Sequence, residues 1–216
     1  MIIFVDSANI DEIASIAKYS IIDGVTTNPS LIAKSGKDIK KTIAEICGII
    51  KGDVSAELCA EDYDNMVSEG KELYSIAPNV VLKLPLTIDG LRACKYFSGQ
   101  GKKTNVTLCF SAQQALLAAK AGATYISPFI GRLEDVNENG LELIRQIKTI
   151  FFNYPNLTSK ILAASIRNSQ HVLDCALIGA DAITMPAKII TELFHHDLTV
   201  KGLEIFRQDA NTRFHF

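Results

Sequence analysis

The sequence predicts an α/β protein folded as a closed (β/α)8 barrel, and two features of the chain indicate this fold. Short apolar or β-branched runs recur eight times along the 216 residues, and stretches with the apolar spacing of helices separate them. Such alternation produces right-handed βαβ units and a parallel sheet, and eight repeats in about 200 residues is the number that closes a barrel. An open, doubly wound sheet is the alternative that the same alternation allows.

Each predicted strand is a run of four or five mostly apolar residues. The strands span residues 2–5, 24–27, 54–58, 80–84, 105–109, 125–129, 160–164 and 182–185. Between them, apolar residues recur at helical spacing, as in the series Leu141, Ile144, Ile147 and Ile150.

Glycines mark the ends of several predicted helices. Gly101, Gly122 and Gly179 each precede a predicted strand, at the point where a helix C-terminus needs a left-handed residue. No linker rich in Pro, Gly or Ser divides the chain, so residues 1–216 are predicted to form one catalytic domain. The last helix is predicted at about residues 199–209, outside the barrel repeat.

The composition excludes several classes of partner. A formal net charge of -2 is unsuited to a protein that neutralises many phosphates of a nucleic acid, although it allows a local basic pocket for one phosphate. No apolar stretch is long enough to span a membrane. We therefore expect neither nucleic acid nor a membrane as a partner.

The cysteines and the N-terminal sequence favour a cytoplasmic location. The five cysteines are odd in number and include no CxxC pair of the kind that zinc and redox sites use. The first residues, MIIFVDSANIDEI, contain an apolar run too short for a signal peptide. We expect reduced, mostly buried thiols and no metal site.

Polar residues stand at the ends of the predicted strands, where barrels of this class build their sites. Asp6, Asn28, Glu57 and Lys83 lie at or near the ends of the first four strands. The later strands and the residues directly after them supply Asn105, Thr107, Ser127, Phe129, Arg132, Ser165 and Arg167.

Residue parity indicates which of these side chains lie together, because strand residues two apart share a face. The pairs that share a face are Asn105 with Thr107, Ser127 with Phe129, and Ser165 with Arg167. If this face is the barrel interior, polar groups from several strands converge on one volume. A buried polar cluster is costly unless its members are paired or used, so function explains it economically.

Lys83 lies within the apolar run VVLKLPL, whose leucines leave little water to solvate an ammonium. Desolvation is expected to lower its pKa and populate the neutral amine, which attacks carbonyl groups. The alternative is that Lys83 forms a salt bridge with Glu57 or Asp6 and only fills the barrel.

Other polar residues also admit two interpretations. Asp6 is either a catalytic carboxyl or the N-cap of the next helix, and Asn28 before Pro29 is either a ligand or a turn residue. The two arginines are either solvated surface charges or, with the hydroxyl of Ser165, a bidentate phosphate cradle. The histidines lack a metal-like context and are interpreted as structural; they are His171, His195, His196 and His215.

Five motifs carry a resemblance to a known family. They are GVTTNPSLIAKSG at residues 24–36, VLKLPLTIDGL at 81–91, NVTLCFSAQQA at 105–115, ISPFIGRLED at 126–135 and AASIRN at 163–168. With these motifs the chain resembles the small transaldolases, the short-chain branch of the transaldolase superfamily that includes fructose-6-phosphate aldolase. The resemblance runs from VDSANIDEI to the last predicted strand and implies a TIM barrel of the class I aldolase type.

The resemblance implies a role for each residue of the predicted site. Lys83 would form the Schiff base with the ketose donor, and Asp6 would be the acid/base on the substrate hydroxyl. Glu57 and Thr107 would hold the water that carries protons during imine formation. Asn28, Asn105 and Ser127 would orient the dihydroxyacetone unit, while Arg132, Ser165 and Arg167 would bind the phosphate.

Two positions favour transfer over release of the three-carbon unit. In the aldolase branch of the family that the chain resembles, a Gln occupies the place of Glu57 and a Tyr the place of Phe129. The transaldolases carry Glu and Phe there, as this chain does. The expected donors are sedoheptulose 7-phosphate or fructose 6-phosphate, and the expected acceptors are glyceraldehyde 3-phosphate or erythrose 4-phosphate. The resemblance implies a reaction of the pentose phosphate pathway that needs no cofactor.

Two other functions stay open, together with the oligomeric state. The chain is alternatively a fructose-6-phosphate aldolase that releases free dihydroxyacetone, or a non-catalytic phosphate-binding barrel with a scaffolding role. Small transaldolases form rings of five that are often paired. The resemblance therefore implies a homo-oligomer, a pentamer or decamer, in which the C-terminal helix packs on a neighbouring subunit.

Overall fold

A computed structural model of the chain describes residues 1–213, so His215 lies outside the described residues. Eight parallel strands, β1 to β8, follow one another around a closed barrel. They are Ile2–Asp6, Gly24–Thr26, Val54–Glu57, Val80–Pro85, Thr104–Cys109, Tyr125–Pro128, Lys160–Ala163 and Ala182–Met185. Each bound lies within one residue of its prediction.

The pairing of the first strand with the last one closes the sheet. β1 pairs with β8 in parallel, with Ile2 opposite Ala182 and Val5 opposite Met185. An open, doubly wound sheet leaves two unpaired edges, so that alternative is wrong and the predicted (β/α)8 barrel is confirmed.

Helices α1 to α11 alternate with the strands and surround the barrel. They are Ile10–Ala17, Pro29–Ser35, Ile39–Ile49, Tyr63–Tyr74, Ile88–Ser98, Ala112–Ala121, Ile130–Glu134, Gly140–Asn153, Ser169–Ile178, Ala187–Glu192 and Asp197–Arg213. Within the described part of the chain, none of these helices is both long enough and apolar enough to cross a membrane.

Local sequence signals set many helix ends. Side chains accept hydrogen bonds from the first backbone N–H groups of most helices; these caps are Asn9, Asn28, Asp38, Asp62, Thr87, Ser111, Asn139 and Asn168. Gly122 and Gly179 end α6 and α9 with φ angles of 89° and 87°, in the left-handed region that glycine adopts without strain.

The C-terminal helix is longer than predicted. It spans Asp197–Arg213 in the described chain, whereas the expectation was about residues 199–209. Its start includes Asp197, an acidic residue in the first turn, where a carboxylate interacts favourably with the positive end of the helix dipole.

An apolar layer fills the barrel interior below the polar strand ends. Phe4, Val81 and Tyr125 pack in one interior cluster, and the rings of Phe4 and Tyr125 meet edge to face. Each of these residues lies two positions before a predicted site residue, namely Asp6, Lys83 or Ser127, and therefore points to the same face. The barrel is thus packed below and polar at its C-terminal end.

Candidate active site

Lys83 and Glu57 form an ion pair inside the barrel. They are opposite each other on β3 and β4, with 2.8 Å between Lys83 Nζ and Glu57 Oε2. The side chains are only 7% and 15% exposed. Lys83 Nζ also donates to the carbonyl oxygen of Thr27 at 3.1 Å. The salt bridge that the alternative, non-catalytic interpretation of Lys83 requires is therefore present. The same contact also places a carboxylate base beside the amine.

Asp6 ends β1 beside this pair and does not cap a helix. Asn9 caps α1 instead, so the N-cap interpretation of Asp6 is wrong. Asp6 Oδ1 accepts a hydrogen bond of 2.8 Å from Thr26 Oγ1, which lies 2.6 Å from Thr184 Oγ1. Burial raises the pKa of Asp6 above its usual 3.8, while the charge of Lys83 and the bond from Thr26 act in the opposite direction. The carboxyl is thereby suited to exchanging a proton.

A chain of buried hydrogen bonds connects residues of β6, β5 and β3. Ser127 Oγ donates to Asn105 Oδ1 at 2.8 Å, and Asn105 Nδ2 donates to Ser55 Oγ at 3.0 Å. These bonds fix the orientation of the Asn105 amide. Ser55 was missed by the sequence prediction, although it lies two residues before Glu57 on the same strand face.

Thr107 is buried on β5 with unused hydrogen-bonding capacity. Its Oγ1 has no hydrogen-bond partner among the described residues. The pairing of β5 with β6 shifts register between Val106 and Cys109, and Leu108 has a φ of 59°. Such a bulge next to a site re-aims the neighbouring side chain. An unpaired buried hydroxyl is costly, so a molecule that enters the site gains by bonding to it.

Asn28 has two functions available to one side chain. Its Oδ1 accepts the N–H of Leu31 at 2.9 Å, so Asn28 is the N-cap of α2 and not a turn residue. Asn28 also borders the pocket described next. Because its oxygen serves the helix, its amide nitrogen is the atom left to meet a ligand.

A pocket of about 160 Å³ opens at the C-terminal end of the barrel. Its lining residues are Asp6, Thr26, Asn28, Lys83, Ser127, Phe129, Arg132, Ala164, Ser165 and Thr184. Seven of the predicted site residues are among them. Glu57 and Asn105 contact the lining through Lys83 and Ser127. Thr26 and Thr184 were missed, although each is a polar residue within a short apolar strand.

The two arginines differ in their positions. Arg132 on α7 borders the pocket and is exposed, and no salt bridge or hydrogen bond is found for its side chain within residues 1–213. Arg167 forms an ion pair with Asp135, with 2.7 Å between Nη2 and Oδ2, and is not one of the described lining residues. The parity assigned to Ser165 and Arg167 is wrong, because β7 ends at Ala163 and Ser165 has a φ of 59°.

The acid, amine, hydroxyl and guanidinium groups suit covalent chemistry on a small phosphorylated carbonyl compound. An amine paired with a carboxylate performs nucleophilic catalysis, and a second carboxyl with a raised pKa performs proton transfer. Across the described residues, no group of three or more His, Cys, Asp or Glu side chains is arranged to hold a metal ion. Arg132 supplies a positive charge at the pocket edge.

Comparisons with known proteins agree on one family. A family model described as transaldolase/fructose-6-phosphate aldolase matches residues 3–215. The chain is 57% identical over 206 residues to a probable transaldolase of Parvibaculum lavamentivorans, covering 95% of this chain and 94% of that one. It is 56% identical over 209 residues to a probable transaldolase of a Caulobacter species, covering 97% and 96%. A probable transaldolase of Hyphomonas neptunium is 58% identical over 207 residues, covering 96% and 95%.

Proposed function

This chain is an enzyme of the transaldolase/fructose-6-phosphate aldolase family, and we propose that it transfers a dihydroxyacetone unit between sugar phosphates through a Schiff base on Lys83. The donor is sedoheptulose 7-phosphate or fructose 6-phosphate, and the acceptor is glyceraldehyde 3-phosphate or erythrose 4-phosphate. The reaction belongs to the non-oxidative pentose phosphate pathway. The observation that carries the proposal is the buried pairing of Lys83 with Glu57 at the base of a pocket that also contains Asp6.

The reaction begins at the carbonyl carbon of the donor. Glu57 accepts a proton from the Lys83 ammonium, and the neutral amine attacks C2 of the ketose to form a carbinolamine. Loss of the C2 hydroxyl as water, with a proton returned through the carboxyl of Glu57 and the hydroxyl of Thr107, gives the iminium. The 2.8 Å contact and the unpartnered Thr107 oxygen support these roles.

Cleavage and transfer then use Asp6. The Asp6 carboxylate removes the proton of the C4 hydroxyl, the C3–C4 bond breaks, and its electron pair moves into the iminium to give an enamine. The aldose leaves, the acceptor aldehyde enters, and the enamine carbon forms the new bond while Asp6 returns its proton to the new hydroxyl. Hydrolysis of the iminium releases the product ketose and regenerates the Lys83 amine.

The remaining residues orient the substrate. Asn28, Asn105 and Ser127 bind the hydroxyls of the dihydroxyacetone unit, and the amide of Asn105 is held by Ser127 and Ser55. Arg132, Ser165 and Arg167 bind the phosphate at the other end. The positions of Arg132 and Ser165 on the pocket wall support this assignment.

Glu57 and Phe129 favour transfer over release. At the enamine stage Glu57 has returned its proton, so its carboxylate does not protonate the enamine while the acceptor replaces the first aldose. Phe129 packs edge to face against Phe110 at the pocket wall and carries no hydroxyl that would protonate the enamine. Both features lengthen the life of the enzyme-bound three-carbon unit.

We further propose that the enzyme is a cytoplasmic homo-oligomer, a pentamer or a decamer. Apolar side chains on α11 are exposed in the single chain, among them Leu198, Leu203 and Phe206. A helix with such residues gains free energy by packing on a neighbouring subunit. Sugar phosphates of central metabolism as substrates support the cytoplasmic location.

Borohydride trapping tests the Schiff base. The protein is incubated with fructose 6-phosphate and borohydride, and the labelled peptide is identified by mass spectrometry. We expect a reduced three-carbon adduct on Lys83 and none on Lys103, which is an exposed lysine in a salt bridge with Asp53. An unmodified Lys83 would refute the proposed mechanism and favour the non-catalytic barrel.

A product assay separates transfer from release. Free dihydroxyacetone is measured from fructose 6-phosphate with and without erythrose 4-phosphate. Transfer predicts slow release without the acceptor and rapid formation of the seven-carbon product with it. Fast release that does not depend on the acceptor would identify the aldolase activity instead.

A further inference from the structure

Two neighbouring acids at the end of α7 contact the segment that follows β7. Asp135 Oδ2 lies 2.7 Å from Arg167 Nη2, and Glu134 Oε1 lies 3.1 Å from Nε2 of the buried His171. The Asp135 and Arg167 side chains are 53% and 50% exposed. The first pair is therefore open to solvent and to a competing anion.

Hydrogen bonds hold the backbone at Arg167 in place. Arg167 N donates to His171 Nδ1 at 3.4 Å, and His171 N donates to the cap residue Asn168 at 2.8 Å. His171 Nε2 thus carries the proton that faces Glu134. Because these contacts hold the main chain, a change of partner at Arg167 requires only rotation of its side chain.

Arg167 lies near the pocket but is held to one side of it. Its side chain packs over Gly131, where a Cβ atom would come within 2.6 Å of Arg167 Nε. The next residue after Gly131 is Arg132, which borders the pocket. The Arg167 side chain therefore lies against the backbone next to Arg132, two residues after Ser165 of the pocket wall.

We propose that Asp135 is a specificity-determining residue that competes with the substrate phosphate for Arg167. A phosphorylated substrate draws Arg167 away from Asp135, whereas an unphosphorylated analogue leaves the ion pair intact. This inference rests on the proposed function, since it requires that a phosphate enters the pocket beside Arg132.

The exchange is favoured by the chemistry of the two anions. A half-exposed carboxylate–guanidinium pair contributes little, because solvent screens it and two long side chains lose freedom. A phosphate carries nearly two negative charges and accepts two parallel hydrogen bonds from a guanidinium. Asp135 thus lowers the affinity for phosphorylated substrates by a small factor and leaves the affinity for unphosphorylated analogues unchanged. In this way it sets how strongly the site prefers a phosphorylated substrate.

A double-mutant cycle on phosphate binding tests the competition. Inorganic phosphate is titrated calorimetrically into the full-length protein and into Asp135→Asn, Arg167→Gln and the double variant. We expect Asp135→Asn to tighten phosphate binding by about two- to fivefold, and to have no effect in the Arg167→Gln background. Glu138→Gln removes the same charge three residues further on and is expected to leave phosphate binding unchanged, since Glu138 is exposed outside the pocket.

Three outcomes would overturn the inference. Weaker phosphate binding in Asp135→Asn would mean that Asp135 positions Arg167 and does not compete for it. An equal gain in the Arg167→Gln background, or with Glu138→Gln, would reduce the effect to general electrostatics. Undetectable phosphate binding by the unaltered protein would also refute it.

The proposed function is judged by a separate readout. Trapping of dihydroxyacetone on Lys83 with borohydride in the unaltered protein does not depend on a phosphate. A failed trap with an intact double-mutant cycle would refute the Schiff base alone. A successful trap with no coupling between Asp135 and Arg167 would refute the competition alone.

Discussion

Glu57 and Lys83 are in register on adjacent parallel strands, and their 2.8 Å ion pair is the main charged contact in the barrel interior. Removing two charges from water is costly, and the cost is recovered only while both partners are present. The pair therefore couples stability to catalysis, and a substitution at either residue is expected to affect both.

We expect single substitutions in this pair to destabilise the protein more than the double substitution does. Lys83→Met or Glu57→Met leaves one buried charge without its partner, which costs about 3–5 kcal/mol. Lys83→Met/Glu57→Met removes both charges and is expected to recover part of that loss. Urea unfolding of the four proteins gives the coupling free energy, and all three variants are expected to lose activity.

The exposed ion pair of Lys40 with Glu72 provides the matched control. Its atoms are 2.7 Å apart, but its side chains are 58% and 56% exposed. The same cycle at this pair is expected to give a much smaller coupling, because water solvates either charge alone. Equal coupling at the two pairs would show that the barrel interior does not desolvate Lys83 and Glu57.

The raised pKa of Asp6 predicts a pH-dependent effect of Asp6→Asn on stability. The folded protein keeps this proton to a higher pH than the unfolded chain, whose carboxyl titrates near 3.8. The stabilisation from Asp6 is therefore complete below pH 3.8 and is lost as the pH rises through the folded pKa. Since Asn does not titrate, the Tm of Asp6→Asn relative to the unaltered protein is expected to rise from pH 4.5 to pH 8.

Asp62→Asn is the control of opposite sign. Hydrogen bonds from Asn65 lower the pKa of Asp62, so its stabilisation is present above pH 3.8 and is lost as the pH falls through the lowered pKa. The Tm of Asp62→Asn is expected to lie below that of the unaltered protein at pH 7. A Tm difference for Asp6→Asn that stays constant or falls with rising pH would contradict the burial effect.

Thr107 is expected to separate stability from activity. Thr107→Val keeps the shape of the side chain and removes the unpartnered hydroxyl, so stability is expected to stay equal or increase by about 1 kcal/mol. The rate of Schiff-base formation is expected to fall at least about tenfold, because the hydroxyl assists proton transfer. Stopped-flow measurement of imine formation and urea unfolding test the two effects.

Thr107→Ser reverses both effects. The hydroxyl is kept, so imine formation is expected to stay within about threefold, while the lost methyl group costs about 1 kcal/mol. If Val and Ser variants form the imine equally fast, the hydroxyl has no part in that step.

The fold was predictable from the sequence because each strand and helix carries its own periodic signal. The runs that form β1 and β8 are short and apolar and do not themselves indicate that they pair. The total of eight predicted strands indicated a closed barrel, in which the first strand meets the last. Parity placed Asn105, Thr107 and Ser127 in the interior, and all three are buried there, although the pairing of β5 with β6 shifts register after Val106. The prediction that polar side chains converge around Lys83 followed from this parity.

The position of Arg167 was not predictable in the same way. Parity fails once a strand ends, and the left-handed conformation of Ser165 turns the chain after β7. Asp135 carried no signal either, because a charge on the exposed end of a short helix resembles any solvated residue. Contacts between loops depend on the assembled barrel, whereas local sequence determines strands and helices.

Gly131→Ala is expected to weaken binding of phosphorylated substrates through the backbone alone. Gly131 N donates to Ser165 O at 3.0 Å, and an added Cβ would lie 2.5 Å from that oxygen. The clash displaces Ser165 from the pocket wall and shifts the Arg167 side chain that packs over Gly131, so KM for fructose 6-phosphate is expected to rise about tenfold, equivalent to about 1.4 kcal/mol. Trapping of free dihydroxyacetone on Lys83 should change by less than about threefold, since that unit does not reach the phosphate-binding residues.

Gly48→Ala shows why the clash, and not the loss of a glycine, produces this result. Gly48 lies in α3 with no atom within 4 Å of an added Cβ, so the substitution is expected to stabilise the helix by about 0.5–1 kcal/mol without changing KM. Steady-state kinetics with fructose 6-phosphate and urea unfolding of both variants make the comparison. An unchanged KM in Gly131→Ala would mean that Ser165 and Arg167 do not bind the phosphate.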